Sequence, residues 1–199
     1  MKAPLPCWNH NTAYYPWIRK QASDCRSVLD VGRGDGSLAF FLDDGVKEIV
    51  GIDVDGDSIR RACAMGGEGG PRFAACDFLE YAPRRHFDAV VFSASLHHMD
   101  MRQALRKAKA LLAPGGKVLI VGLAKPSTAA DHLLEAARVI PSKIMSAVHR
   151  MRSSEEMGLN VSYDFPPMRE IRAAISAELP GARMRRGLHY RYLLVWSGR

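Results

Sequence analysis

The residues best suited to holding a hydroxyl-rich, partly cationic ligand lie in three short runs of the 199-residue chain. The first is Val28-Leu29-Asp30-Val31-Gly32-Arg33-Gly34-Asp35-Gly36, an apolar strand that delivers an acid and then places glycine at every second position. Glycine lets the backbone approach a ligand closely and take conformations closed to other residues. The second run, Gly51-Ile52-Asp53, ends another apolar strand in a carboxylate, at the separation from the glycines that suits a ribose. Both ribose hydroxyls can donate to such a group. The third is Cys76-Asp77-Phe78, where the acid can accept from the exocyclic amine of an adenine and the ring can cover its face. Each run alone has a plainer reading: a tight turn, a cap for the next helix, an incidental Asp-Phe. Their order along the chain makes them one nucleoside site.

A second set of residues can move protons. The run Val91-Phe92-Ser93-Ala94-Ser95-Leu96-His97-His98-Met99-Asp100 carries two imidazoles just past an apolar strand, where ligands of an α/β sheet bind. Either can act as a base, with His98 preferred, and shaping the pocket is the alternative role for both. Upstream, Trp8-Asn9-His10-Asn11-Thr12-Ala13-Tyr14-Tyr15 is dense in groups that stack and hydrogen-bond. His10 and Tyr14 are expected to cover the reaction pocket, with simple docking on the core as the alternative. Cys7, Cys25, Cys63 and Cys76 are scattered and lack the paired spacing of zinc or redox motifs, so they read as reduced packing residues and no metal site is expected.

The elements that must position these groups alternate along the chain. Apolar runs at 27–31, 48–52, 72–75, 89–93 and 117–122 read as strands, with helices at 37–42, 56–64 and 101–112 between them. That alternation builds a mostly parallel sheet with helices on both faces, a Rossmann-like three-layer α/β/α sandwich. Asp100 is placed to cap the helix at 101–112, and Pro114-Gly115-Gly116 to stop it. A helical lead-in spans 10–21 with Pro16 early in it, and 124–165 reads as a helical lid or substrate wall. A helix at 168–179 precedes extended runs at 183–187 and 190–196, a hairpin at one sheet edge.

Length bounds the chain to one domain, and 47% hydrophobic with 25% charged residues is the composition of a packed fold. With no apolar leader and no stretch long enough to span a bilayer, a cytoplasmic location and no membrane partner are expected. The net charge of +7 admits anionic partners, but the basic residues are spread out. The densest group, Arg183, Arg185, Arg186 and Arg191, reads as a solvated strand face, with RNA docking as the alternative.

Residues 28–42, 49–53, 73–77, 87–93 and 111–121 resemble, in order, the motifs of the class I S-adenosylmethionine-dependent methyltransferases. The resemblance covers residues 25–123. It implies a seven-stranded sheet whose last strand is inserted antiparallel, in keeping with the terminal hairpin. It also implies S-adenosylmethionine as cofactor and S-adenosylhomocysteine as product. In that scheme Asp30 with Gly32, Gly34 and Gly36 holds the methionine end, Asp53 the ribose and Asp77 the adenine, while Val54, Cys76, Phe78 and Ser93 complete the wall.

A dinucleotide oxidoreductase shares this fold and its ribose carboxylate, but its fingerprint is GxGxxG, and an acid ahead of the glycines suits a cation better than a diphosphate. One departure from the family is Arg33, which stands where a small residue is usual and is expected to turn outward. No Asn-Pro-Pro-Tyr or Asp-Pro-Pro-Tyr run follows the fourth strand, and Asp164-Phe165-Pro166-Pro167 lies too far along to replace it. The leading expectation is a small-molecule methyl acceptor bound to a monomer or homodimer. An RNA acceptor and a non-catalytic adenosyl-binding scaffold are the alternatives.

Overall fold

Strands buried on both faces give this fold its layers. In β1 (Ser27–Val31) the side chains of Val28, Leu29, Asp30 and Val31 all lie at 1% exposure or less, so both sides of the strand are covered. The computed structural model describes residues 10–126 and 165–198, apart from 33, 46 and 189. Around β1 it arranges β2 (Glu48–Asp53), β3 (Arg72–Ala75), β4 (Phe87–Ser93), β5 (Leu112–Leu123), β6 (Arg183–Arg186) and β7 (Arg191–Ser197). The seven strands form one sheet in the order β3-β2-β1-β4-β5-β7-β6. The first five are parallel, and β7 runs antiparallel to both its neighbours.

Alternation along the strands divides the core in two. On one face Val28, Ile49, Val91, Leu119 and Val121 pack against α1 (Tyr15–Gln21) and α2 (Ser37–Leu42) through Ile18, Leu38 and Leu42. On the other, Leu29, Val90, Phe92, Ile120 and Tyr192 pack against α4 (Met101–Ala110) and α5 (Met168–Glu178) through Leu105, Ile171 and Ile175. α3 (Gly56–Met65) connects β2 to β3. A 3₁₀ turn at Thr12–Tyr14 precedes α1, and another at Leu96–His98 follows β4. No helix among the described residues is long and apolar enough to cross a membrane.

Element boundaries shift where backbone pairing competes with local preference. α4 ends at Ala110, short of the expected 112, because Leu112 joins β5 opposite Phe87 and the Phe87 N–H donates to Leu111 O at 2.8 Å. Pro114-Gly115-Gly116 therefore falls inside β5, at a register shift between the Phe87–Leu112 and Ala89–Lys117 pairs, with Gly115 at φ +77°. The cap at Asp100 is as expected, accepting the Gln103 N–H at 2.8 Å. Pro16 lies in the first turn of α1.

The arginine group corrects the expectation of a solvated face. Arg183 and Arg185 are exposed, but Arg186 is half-buried and Arg191 is buried at 6% exposure. Residues 127–164, which hold nearly all of the expected lid, lie outside the described residues, as do Cys7, Trp8, Asn9 and Arg33.

Gly122 of β5 marks where β7 crosses most closely: a Cβ there would meet the Tyr192 ring at 2.3 to 2.4 Å, and Tyr192 is 1% exposed. Gly122→Ala is expected to destabilise the fold by about 1–3 kcal/mol through overpacking. An unchanged urea midpoint would show that the ring has room to move.

Candidate active site

β1 lies between β2 and β4, so the carboxyl ends of these three strands meet at one edge. Asp30 pairs in register with Gly51 and Val91, and Asp53 lies two residues beyond Gly51. Strand alternation therefore puts Asp30, Asp53 and Ser93 on the same face of the sheet, the one covered by α1 and α2. Asp30 is fully buried.

Above it the chain turns sharply. Gly32 has φ +66° and donates its N–H to Ile52 O at 2.9 Å, and Gly34 and Gly36 follow at φ +56° and +79°. Ser95 sets how tight the first turn is: its hydroxyl donates to Val31 O at 2.5 Å, and a Cβ on Gly32 would fall 2.4 Å from the Ser95 Cβ. Ser95 was not foreseen from the sequence; a serine two residues before the imidazole pair carries no signal of its own. The field beneath the glycines is negative. The Tyr15 phenol is pushed well above its ordinary range, first by burial and then by the charges of Asp30 and Asp35. Such a field suits an ammonium or sulfonium and repels a phosphate.

Asp53 is not the helix cap that its position allowed. Asp55 caps α3, accepting from Asp57 N at 3.0 Å, Ser58 N at 3.3 Å and Ser58 Oγ at 2.6 Å. Asp53 instead accepts the Asp55 N–H through Oδ1 and the Gly34 N–H through Oδ2, both at 2.9 Å, which ties the glycine turn to the end of β2. A carboxylate offers about four acceptor positions, so room remains for hydroxyl donors. Beside it Val54 is 74% exposed, a bare apolar surface. The Cys76 N–H donates to Asp53 O at 2.9 Å and brings the start of the next loop alongside. Asp77 is exposed there and accepts the Leu79 N–H at 2.7 Å.

Phe78 departs from expectation. It is 3% exposed and packs edge-on against Phe92 at 5.3 Å, inside the core on the α4 side. Its ring therefore does not cover the site, and Val54 is the apolar side chain that stands open beside Asp53. Cys76 is half-buried, and burial pushes its thiol upward. The Ser93 hydroxyl is buried with no hydrogen-bond partner among the described residues.

Past β4 the character changes. The His97 and His98 rings lie 4.0 Å apart, and His97 meets Phe165 edge-on at 5.1 Å. His98 is exposed, while His97 has a buried Nδ1 with no hydrogen-bond partner among the described residues. Burial, then His98, then the Arg191 guanidinium push His97 down to about 4. His10 is lowered by burial and by Arg191. The Tyr14 hydroxyl donates to Leu188 O at 3.1 Å and accepts the Leu188 N–H at 2.7 Å, clasping the N-terminal 3₁₀ turn to the β6–β7 hairpin. Asn11 accepts from Arg191 in the same clasp.

Because the folded state keeps His97 neutral, its contribution to stability is complete above pH 6.5 and declines as the pH falls toward 4, where the folded imidazole finally takes a proton. Between pH 7 and 5 the melting temperature of the wild-type protein is therefore expected to drop more steeply than that of His97→Gln. Parallel curves would remove His97 from the acid response.

Comparison with known proteins bears on family and fold. A family model described as a methyltransferase domain matches residues 29–118, from β1 into β5. An uncharacterized methyltransferase of Mycobacterium tuberculosis (strain ATCC 25618 / H37Rv) is 31% identical over 194 residues, covering 95% of this chain and 96% of its own. Among solved structures, a protein from Pyrococcus horikoshii OT3 is similar at TM-score 0.67 and 20% identity, over 94% of this chain and 88% of that one. An N-methyltransferase from Bradyrhizobium japonicum WM9, crystallised with S-adenosyl-L-homocysteine, is similar at TM-score 0.62 and 17% identity, over 96% and 88%. The structural likenesses are of fold; the full-length sequence relative is of family. Together with the glycine turn after β1 and the acids at 30, 53 and 77, they establish that the chain belongs to the class I S-adenosylmethionine-dependent methyltransferases.

Proposed function

We propose that this methyltransferase acts on a small-molecule acceptor bound between the His97–His98 pair and the N-terminal segment that carries His10 and Tyr14. The observation that carries the reading is the shared edge: Asp53, Asp30 and Ser93 lie on one face at the ends of three neighbouring strands, and the imidazoles follow directly after the third. Asp30 and the turn at Gly32, Gly34 and Gly36 would hold the amino-acid end of the cofactor, Asp53 its ribose hydroxyls, and Asp77 with Val54 its base. When bound, the cofactor supplies a methyl group on an already activated sulfonium. What remains for the protein is alignment of the acceptor with that methyl, and removal of a proton where the acceptor carries one.

His98, exposed beside the edge, is the preferred base. His97, held neutral down to acid pH and wedged between His98 and Phe165, sets the wall against which the acceptor rests. Tyr14 acts by holding the N-terminal segment down on the hairpin. The arginines whose grouping gave the best opening for an RNA acceptor are divided between solvent and interior, which leaves Arg183 and Arg185 as the exposed remnant.

The two neighbouring acids separate cofactor binding from helix capping. Asp53→Ala is expected to weaken S-adenosylhomocysteine binding about tenfold to a hundredfold, the value of one or two charge-assisted hydrogen bonds. Asp55→Ala should leave that affinity intact while costing about 1 kcal/mol of stability as a lost cap. Thermal shift with S-adenosylhomocysteine reads both; NAD in place of it should produce no stabilisation. Equal effects of the two substitutions would remove Asp53 from the ribose.

With an acceptor found by screening small molecules against labelled S-adenosylmethionine, His98→Gln is expected to lower kcat by about a hundredfold or more if it is the base. An unchanged kcat would assign His98 to the wall.

A further inference from the structure

Among the described residues, Arg191 is the only buried basic side chain. It opens β7 opposite Leu123, the last residue of β5, so it lies at the same sheet edge as the glycine turn. Register also fixes its face. Leu123 follows Leu119 and Val121 by alternation, and those two pack on the α1 and α2 side, so Arg191 shares the face of Asp53, Asp30 and Ser93. Read across the strands β2, β1, β4, β5 and β7, that face presents Asp53, Asp30, Ser93, Leu123 and Arg191 as a staggered row, Asp53 and Ser93 lying two residues and Leu123 and Arg191 four residues further along than Asp30. Three strand spacings, about 14 Å across the sheet, and four residues, about 13 Å along it, separate Asp30 from Arg191.

The row has opposite charge at its two ends. Around Asp30 the field is negative, as Tyr15 records. Around Arg191 it is positive: the guanidinium donates to Asn11, lies in the field of the Tyr14 phenol, and depresses both His10 and His97. Burial itself pulls Arg191 down to about 10, so it remains charged at neutral pH. The strand order places the positive end beyond β4, which His97 and His98 follow, and on the side of Asp30 away from Asp53. An arginine oriented by an amide oxygen, near imidazoles whose protonation it opposes, has the chemistry to recognise an oxyanion.

We propose that the acceptor of this enzyme carries an anionic oxygen group, a carboxylate or a phosphate, and that Arg191 with His97 binds it. The proposal rests on the methyl-transfer reading and specifies its acceptor. A cationic donor and an anionic acceptor then meet across a site whose ends are charged to match, which aligns the pair before reaction and favours anionic acceptors over neutral analogues.

The test uses the full chain saturated with S-adenosylhomocysteine and three probes of one shape: benzoate, phenyl phosphate and neutral benzamide, titrated by calorimetry. At least one anion is expected to bind ten times or more tightly than benzamide. A preference for benzoate assigns a carboxylate, and a preference for phenyl phosphate assigns a phosphate. Arg191→Met should abolish the preference and Arg191→Lys keep part of it, with S-adenosylhomocysteine affinity unchanged in both. In the wild-type protein the bound anion should also raise the His97 titration seen by NMR, a readout that stands even if Arg191→Met fails to fold. Benzamide binding as tightly as both anions, no anion binding in the millimolar range, or an undiminished preference in Arg191→Met would each overturn the proposal. Failure of S-adenosylhomocysteine to bind would instead remove the methyl-transfer reading beneath it.

Discussion

A carboxylate with no accessible surface, set at the end of the central strand, is the constraint from which the rest of this site follows. Taking such a group out of water costs several kcal/mol unless donors or a cation compensate. At Asp30, β1 is flanked by β2 and β4 and followed by the glycine turn, so the carboxylate is held in place away from solvent. Ser95 tightens the roof from the neighbouring strand end, and Asp53 ties it from the other side through the Gly34 N–H. The turn is thus braced by the two strands that border β1, and the acid beneath it gives the surroundings a negative field.

The same strand order distributes charge along the edge. Parallel strands bring their carboxyl ends together, and the acids of β1 and β2 gather on one side of the row. Insertion of β7 between β5 and β6 reverses chain direction, so the first residue of β7, Arg191, reaches the edge where the parallel strands finish. A parallel strand there would have brought its last residue instead. The polarity of the site is therefore a product of topology: one inserted antiparallel strand supplies the positive end. The clasp of Tyr14 on Leu188 and of Asn11 on Arg191 then binds the N-terminal segment to that end, joining groups that lie 174 and 180 residues apart in the chain.

Much of the framework was legible before the fold. The apolar runs of β1, β2 and β4 are short and rich in Val and Ile, β3 is a brief Phe-Ala-Ala run, and their alternation with amphipathic segments admits few architectures. The glycine spacing and the acids at 30 and 53 were legible for a related reason, since a turn that needs left-handed backbone at 32, 34 and 36 leaves its mark in residue type. Boundaries were less legible. Leu111 and Leu112 continue the apolar stripe of α4, yet Phe87 pairs with Leu112, and a strand partner outweighs one more helical residue.

Local sequence determined which residues have the chemistry: the acids at 30, 53 and 77, the imidazoles at 97 and 98, and the glycines that let backbone come near. Only the tertiary structure decided which of them share a face. Asp55 and Asp53 are the same residue type two positions apart, and hydrogen bonding to α3 makes one a cap while pairing to Gly34 makes the other part of the site. Phe78 reads as a site aromatic until Phe92 is found beneath it, and Arg191 reads as a surface cation until β5 and the N-terminal segment close over it. Burial and electrostatic field arise from groups far apart in sequence, so no window along the chain contains them.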